Sequence, residues 1–118
     1  MAVTRIVPDI TSDDIPRSRE FYRLLGLEER MDLGWVVILG PPDRPDLQLL
    51  LMSRDESAAV NPDISIGVDD VDAAHETMFN AGIEIVHGLR DERWGVRRFF
   101  VRDPNGKIVN IMRYQTGR

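Results

Sequence analysis

The chain contains no cysteine. Disulfide staples, thiolate metal ligands and a cysteine nucleophile are therefore excluded, and nothing points to an oxidising compartment. No apolar run approaches the roughly 20 residues that a bilayer-spanning helix needs. The opening, Met1 to Pro8, also lacks the basic-then-apolar pattern of a secretory signal. Positive charge is in short supply: 15 Lys and Arg face 20 Asp and Glu, a formal net charge of −5. That balance argues against a general nucleic-acid binder, which draws most of its affinity from neutralising phosphates. The expectation is a soluble cytoplasmic protein that engages neither nucleic acid nor membrane.

What remains is enough for one domain, because 118 residues can remove roughly two thirds of their unfolded surface from water. The charge is unevenly spread. Residues 1 to 60 carry seven Lys or Arg against eleven Asp or Glu, and residues 61 to 118 carry eight against nine. Five of those eight, Arg90, Arg93, Arg97, Arg98 and Arg102, fall within 13 positions. Solvated strand edges and ion pairs with neighbouring acids account for most of them.

Residues 3 to 10 alternate like a short strand, with Pro8 suited to an edge, end or bulge. Ser12, Asp13 and Asp14 offer helix N-cap chemistry. Pro16 fits a first turn, and Ile15, Ser18, Phe21, Tyr22 and Leu25 recur at helical spacing. Gly26 supplies the stop. Strands are predicted at 27 to 32, 35 to 39 and 47 to 52, broken by Leu33-Gly34 and by the proline-rich loop Gly40 to Pro45. After a polar linker the pattern restarts with a strand at 63 to 68. A helix capped by Asp69-Asp70 follows, with Val71, Ala74, Met78 and Ala81 on its apolar face and Gly82 at its end. The last strands are predicted at 83 to 87, 96 to 102 and 107 to 113. The final two flank Asp103-Pro104-Asn105-Gly106, a tetrapeptide suited to a type I turn.

Laid over each other at an offset of 56, the halves match Asp13/Asp14 with Asp69/Asp70, Glu20 with Glu76, Gly26 with Gly82 and Glu28 with Glu84. Ile15 and Leu27 also meet Val71 and Ile83. A shared offset across cap, helix, stop and next strand indicates two copies of a βαβββ unit. With one helix per unit, the other sheet face must curve around something or pack on a partner.

The stretch from Asp14 to Tyr22 followed by Leu25-Gly26-Leu27 resembles the vicinal oxygen chelate superfamily, also described as the glyoxalase/bleomycin resistance/dioxygenase fold. Ile66-Gly67-Val68-Asp69-Asp70-Val71 and Trp94-Gly95 leading to Asp103-Pro104-Asn105-Gly106 carry the same resemblance, which spans nearly the whole chain. It implies an α+β fold: two tandem βαβββ modules, about 1–60 and 61–118 of a single domain, forming a curved mixed sheet with a cup-shaped pocket. It also implies a homodimer. Enzymes of the family bind a divalent metal through the first and last strands of each module. By the family's spacing those positions fall on Val7, Asp63, Asn110 and, in the first module, Gln48.

Valine cannot bind a metal, and two amides with one carboxylate do not supply the three firm ligands of catalytic zinc or the two His and a carboxylate of a non-haem iron oxygenase. His75 is expected on the helix surface. His87, by parity with Ile83 and Ile85, reads as a partly buried or pocket-edge imidazole, with a general base as the lesser alternative. A metal-free cup would use Ile108, Asn110 and Met112 of the last strand and Asp46, Gln48, Leu50 and Met52 of the fourth. Such an apolar lining with a few amides is what an organic-ligand pocket requires. Asn110 is equally a buried amide satisfying backbone groups. Trp35, Trp94 and Phe100 offer stacking surfaces or core packing, and Arg98, facing with Phe100, offers a bidentate clamp for a carboxylate or phosphate. Asp63 completes the ligand-binding set.

The leading expectation is metal-independent binding of a small organic molecule, without cofactor or named catalytic residue, on the pattern of the bleomycin-resistance members that sequester an antibiotic or related metabolite. The alternative is a metal-dependent lyase, isomerase or dioxygenase. A third is a dimeric domain with no ligand. The acidic total charge suits a cationic ligand and the arginine cluster an anionic one.

Overall fold

A computed structural model describes residues 1–115. They form eight strands and two helices in an α+β arrangement: β1 (Val3–Thr11), α1 (Ile15–Arg23), β2 (Glu28–Asp32), β3 (Val36–Gly40), β4 (Leu49–Met52), β5 (Ile64–Val68), α2 (Val71–Asn80), β6 (Ile85–Glu92), β7 (Val96–Arg102) and β8 (Ile108–Tyr114). The βαβββ order therefore occurs twice. The chain packs as two compact units, one of Val7–Asn61 and one that joins Met1–Ile6 to the residues from Pro62 onward. The first six residues belong with the second half.

In the first unit the strands lie in the order β2-β3-β4-β1, with β1 parallel to β4 and the other pairs antiparallel. Asp14 caps α1, its Oδ1 accepting from Arg17 N at 3.1 Å, and Gly26 takes φ +88° after the helix, a conformation that costs glycine little. Val37, Leu39 and Leu51 are buried and pack with Ile10, Ile15, Tyr22, Leu27 and Leu49. The helix contributes less than its spacing predicts: Ile15 and Tyr22 reach the core, but Phe21 and Leu25 are exposed. The proline-rich loop is held by one side chain. Arg30 donates to the carbonyls of Leu47 (2.8 Å), Arg44 (2.7 Å), Pro45 (3.2 Å) and Pro41.

In the second unit the order is β5-β8-β7-β6, with β5 parallel to β8 and the remaining pairs antiparallel. Asp70 caps α2, accepting from Ala73 N at 3.0 Å. The helix lays Val71, Ala74 and Met78 on a sheet face made of Ile66, Val68, Phe99, Val101, Val109 and Ile111. His75 joins this packing, its ring edge-on to Phe99 at 4.9 Å between centroids. The β7–β8 turn forms as the sequence predicts: Asp103 Oδ1 accepts from Asn105 N (2.8 Å) and Lys107 N (2.9 Å), and Asp103 N donates to Lys107 O. Among the described residues no helix is long and apolar enough to cross a membrane.

Candidate functional site

Because side chains alternate along a strand, filling one sheet face of the second unit with the α2 core leaves the other to Ser65, Gly67, Arg98, Phe100, Asn110 and Met112. Register confirms that these residues are neighbours: Asn110 lies opposite both Ser65 and Phe100, and Met112 opposite both Gly67 and Arg98. His87 belongs to this helix-free face as well. Simple alternation would put it with Ile85 and Leu89, which pack on the α2 side. Two register shifts, one between Ile85 and His87 and one between His87 and Arg90, pair His87 with Phe100 instead. The extra residues turn the imidazole over and then restore Leu89, the re-aiming that β-bulges perform.

The β6–β7 turn, with Gly95 at φ +86°, returns the chain so that Glu92 and Trp94 meet Arg98. Glu92 Oε2 accepts from Arg98 Nε at 2.7 Å and contacts His87 Nε2 at 2.8 Å. The three side chains are 5%, 4% and 8% exposed respectively. Arg90 Nε stands 3.5 Å from the other oxygen of Glu92. The Arg98 guanidinium also lies over Phe100 (4.7 Å) and Trp94 (4.8 Å), and the His87 ring is 4.8 Å from that of Phe100. Burial alone would push the Glu92 carboxyl up, but hydrogen bonds from Arg98 and His87 outweigh it and hold the group below its ordinary range. The result is a desolvated carboxylate with a guanidinium and an imidazole on one oxygen.

Asn110 is 7% exposed. Its Nδ2 donates to Ser65 Oγ at 2.9 Å, while its Oδ1 is buried without a hydrogen-bond partner among the described residues. Asp63 is exposed and tied to the start of β8: Ile108 N donates to its Oδ2 at 2.8 Å, and its own N–H donates to Ile108 O. In the first unit Val7 is 4% exposed within β1. Gln48 is half-buried and precedes β4 rather than lying in it. These four residues do not fit a divalent metal, since they comprise one aliphatic group, two neutral amides and a carboxylate already engaged by backbone. No group of three His, Asp or Glu able to hold a metal occurs among the described residues. A cation beside Glu92 and His87 would also face the buried Arg98.

Of the other expected site residues, Trp94 is half-buried in the turn before β7, Phe100 is fully buried beneath Arg98 and His87, and Met112 is 5% exposed. Met112 also borders a cleft of about 280 Å³ with Arg5, Gly67, Asp69 and Tyr114, where the Arg5 guanidinium lies 4.7 Å from the Tyr114 ring centroid. Trp35, in the first unit, is half-buried just before β3, its carbonyl accepting from Ser53 N at 2.9 Å. Most of the arginine cluster is matched by acids: Arg97 with Asp72 (2.8 Å) and Asp91 (3.2 Å), Arg98 with Glu92, and Arg102 with Glu84 (3.2 Å). The group that sequence reasoning missed is Glu92. Its only signal is an acid among arginines immediately before Trp94-Gly95.

The sequence profile of the Glyoxalase/Bleomycin resistance protein/Dioxygenase superfamily matches residues 3–111. No curated protein matches the chain at the sequence level. Among solved structures it is similar to a methylmalonyl-CoA epimerase variant from Streptomyces coelicolor in complex with 2-nitronate-propionyl-CoA, at 25% identity and TM-score 0.69, covering 98% of this chain and 100% of that one. A glyoxalase/bleomycin resistance protein/dioxygenase superfamily member from Vibrio splendidus 12B01 gives 19% and 0.71, with 95% and 99% covered. A chain described as NAD-dependent benzaldehyde dehydrogenase from Legionella pneumophila gives 18% and 0.74, with 93% and 99% covered. Likeness at these last two identities concerns the fold.

Proposed function

Since the chain belongs to the Glyoxalase/Bleomycin resistance protein/Dioxygenase superfamily, yet carries Val7, Gln48, Asp63 and Asn110 where the resemblance implies metal ligands, we propose that it binds a small organic molecule without a metal. The ligand class is an antibiotic or related metabolite, and the act is sequestration. The observation that carries this reading is Asn110. A buried amide with one end on Ser65 and the other end unmet is costly to keep, and a ligand offering a donor removes the cost. Around it, Met112, Phe100 and Ile108 supply apolar surface, and sparse polar groups in such a lining fix orientation. The arginine cluster does not favour an anionic ligand, because acids already balance Arg97, Arg98 and Arg102.

The test is metal analysis of protein purified without chelator, then titration with nickel, zinc, manganese and iron(II), alongside a thermal-shift screen of organic compounds. A ligand selective for the folded state raises the melting temperature, and the metals leave it unchanged. Stoichiometric metal that is lost on Asp63→Ala overturns the reading. One observation favours a second reading, a metal-dependent isomerase: the likeness at 25% identity to the methylmalonyl-CoA epimerase variant. That reading requires metal-dependent turnover of an acyl thioester, which the same metal-loaded samples report.

A further inference from the structure

Each helix carries an apolar stripe that its own unit leaves uncovered. On α1 and the turn that ends it the stripe is Phe21, Leu24 and Leu25, with Leu24 86% exposed; on α2 and just past it, Phe79 at 64% and Ile83 are exposed. Grouped apolar side chains at a surface mark contact sites. The two aromatic rings are braced. Phe21 meets Tyr22, which packs on the core, edge-on at 5.0 Å between centroids, and Phe79 stacks at 6.2 Å on His75, which itself rests on Phe99. Rings held in this way have little freedom left to lose when something covers them. We propose that a second copy of this chain covers them, with α1 of one copy lying along α2 of the other.

The two helices carry opposite charge. Residues 15–25 hold three arginines and one glutamate, a net of +2, whereas residues 71–83 hold two acids and no Lys or Arg, a net of −2 with His75 neutral. Most of these charges are engaged within the chain: Arg19 with Glu29 (3.1 Å), Arg23 with Glu20 (3.5 Å) and Asp72 with Arg97 (2.8 Å). Arg17 and Glu76 are exposed, and their side chains make no hydrogen bond or ion pair among the described residues. Each stands at the head of a stripe. From Arg17 the exposed apolar residues follow at +4, +7 and +8, and from Glu76 at +3 and +7, steps that keep side chains on one face of a helix. Laid side by side in the same direction, the helices bring Arg17 to Glu76 and set Phe21, Leu24 and Leu25 against Phe79 and Ile83. Laid in opposite directions, they put the apolar residues of α1 against the acids of α2. An anionic lipid surface would suit the arginines of α1 but repel α2, which has none. A second copy accounts for both stripes.

The test is a charge exchange read by sedimentation equilibrium at low ionic strength. Wild-type protein is expected to show a mass of at least two chains, and Arg17→Glu and Glu76→Arg each to raise the dissociation constant about tenfold, because each sets like charges opposite one another. Neither change threatens the fold: both side chains are exposed, and an acid in the first turn of α1 is favoured by the helix dipole. An equimolar mixture of the two variants is expected to regain the wild-type affinity. The altered α1 of the first then faces the altered α2 of the second, and the unaltered helices form the native pair. A wild-type chain that stays single at submillimolar concentration, a variant that associates as tightly as wild type, or a mixture no tighter than its components overturns the proposal. In the first of these cases, flotation with phosphatidylserine vesicles that is lost in Arg17→Glu assigns the α1 stripe to a membrane surface instead.

Discussion

Glu92 and Arg98 are joined by a 2.7 Å hydrogen bond from Nε to Oε2, with 5% and 4% of their side chains exposed. Removing one partner of a buried pair strands the other charge. Glu92→Leu or Arg98→Met alone is therefore expected to destabilise the fold by about 3 kcal/mol. The double variant Glu92→Leu with Arg98→Met leaves no charge behind and is expected to recover most of that loss. Urea denaturation of the four proteins, read as a double-mutant cycle, checks it. Additive losses would show that the two residues act independently.

The same pair makes stability depend on pH at the acid end. Glu92 has an ordinary value of 4.5 and is held below it in the folded state by Arg98 and His87 against the cost of burial. The unfolded chain therefore binds the proton first. The contribution of Glu92 is complete above its unfolded pKa and is lost as pH falls through the folded one. Melting temperature plotted from neutral pH downward is expected to fall in this acid window more steeply for wild type than for Glu92→Gln. Parallel curves for the two proteins would assign the acid sensitivity to other carboxylates, of which Asp72, hydrogen-bonded by Arg97, is the first to examine.

How far the sequence foretold this arrangement follows from what is local. Asp14 and Asp70 cap helices because a side-chain oxygen within reach of the first turn needs no tertiary help, so the repeat at offset 56 and the turn at Asp103 could be read directly. The inward face of α1 could not. Helical spacing makes Phe21 and Leu25 look like core, yet Ile15 and Tyr22 meet the sheet while Phe21 stands 61% and Leu25 72% exposed. In the candidate site, alternation placed Arg98 with Phe100 and sent Arg97 to the opposite side, where it meets Asp72 on α2. It failed for His87 because bulges are set by pairing with β7. It was silent on Glu92, whose partner Arg98 lies across a turn.

Arg30 is expected to be worth more than a surface arginine. Its guanidinium bonds four carbonyls of the loop from Pro41 to Leu47. The fork of five donors has no equivalent in lysine. Arg30→Lys should cost roughly 1.5 to 3 kcal/mol, the scale of a hydrogen bond to a charged group, with protease nicking appearing in the loop. Gly40 serves the same arrangement, because a Cβ there would collide with the guanidinium and with the Leu47 carbonyl. Gly40→Ala should therefore be no milder than Arg30→Lys, and in Arg30→Ala its cost should shrink. A Gly40→Ala penalty that is unchanged in the Arg30→Ala background would mean that the Leu47 backbone, not Arg30, forbids the side chain.

Asn110→Leu separates stability from binding in opposite directions. The amide Nδ2 meets Ser65 Oγ, and Oδ1 has no hydrogen-bond partner among the described residues. Leucine of similar volume removes the orphaned end, a gain of about 1 kcal/mol after the lost bond to Ser65 is set against it. The melting temperature of the ligand-free protein is then expected to rise, while compounds from the thermal-shift screen lose their stabilising effect. A residue retained for ligand contact at the expense of the fold behaves this way, as functional sites commonly do. An amide kept for structure gives the reverse: Asn110→Leu lowers the melting temperature and leaves every ligand shift as it was. Asn110→Asp sharpens the comparison. Its carboxylate can accept from a ligand donor and from the Ser65 hydroxyl but places a charge in a buried position, so binding should survive in part while stability falls.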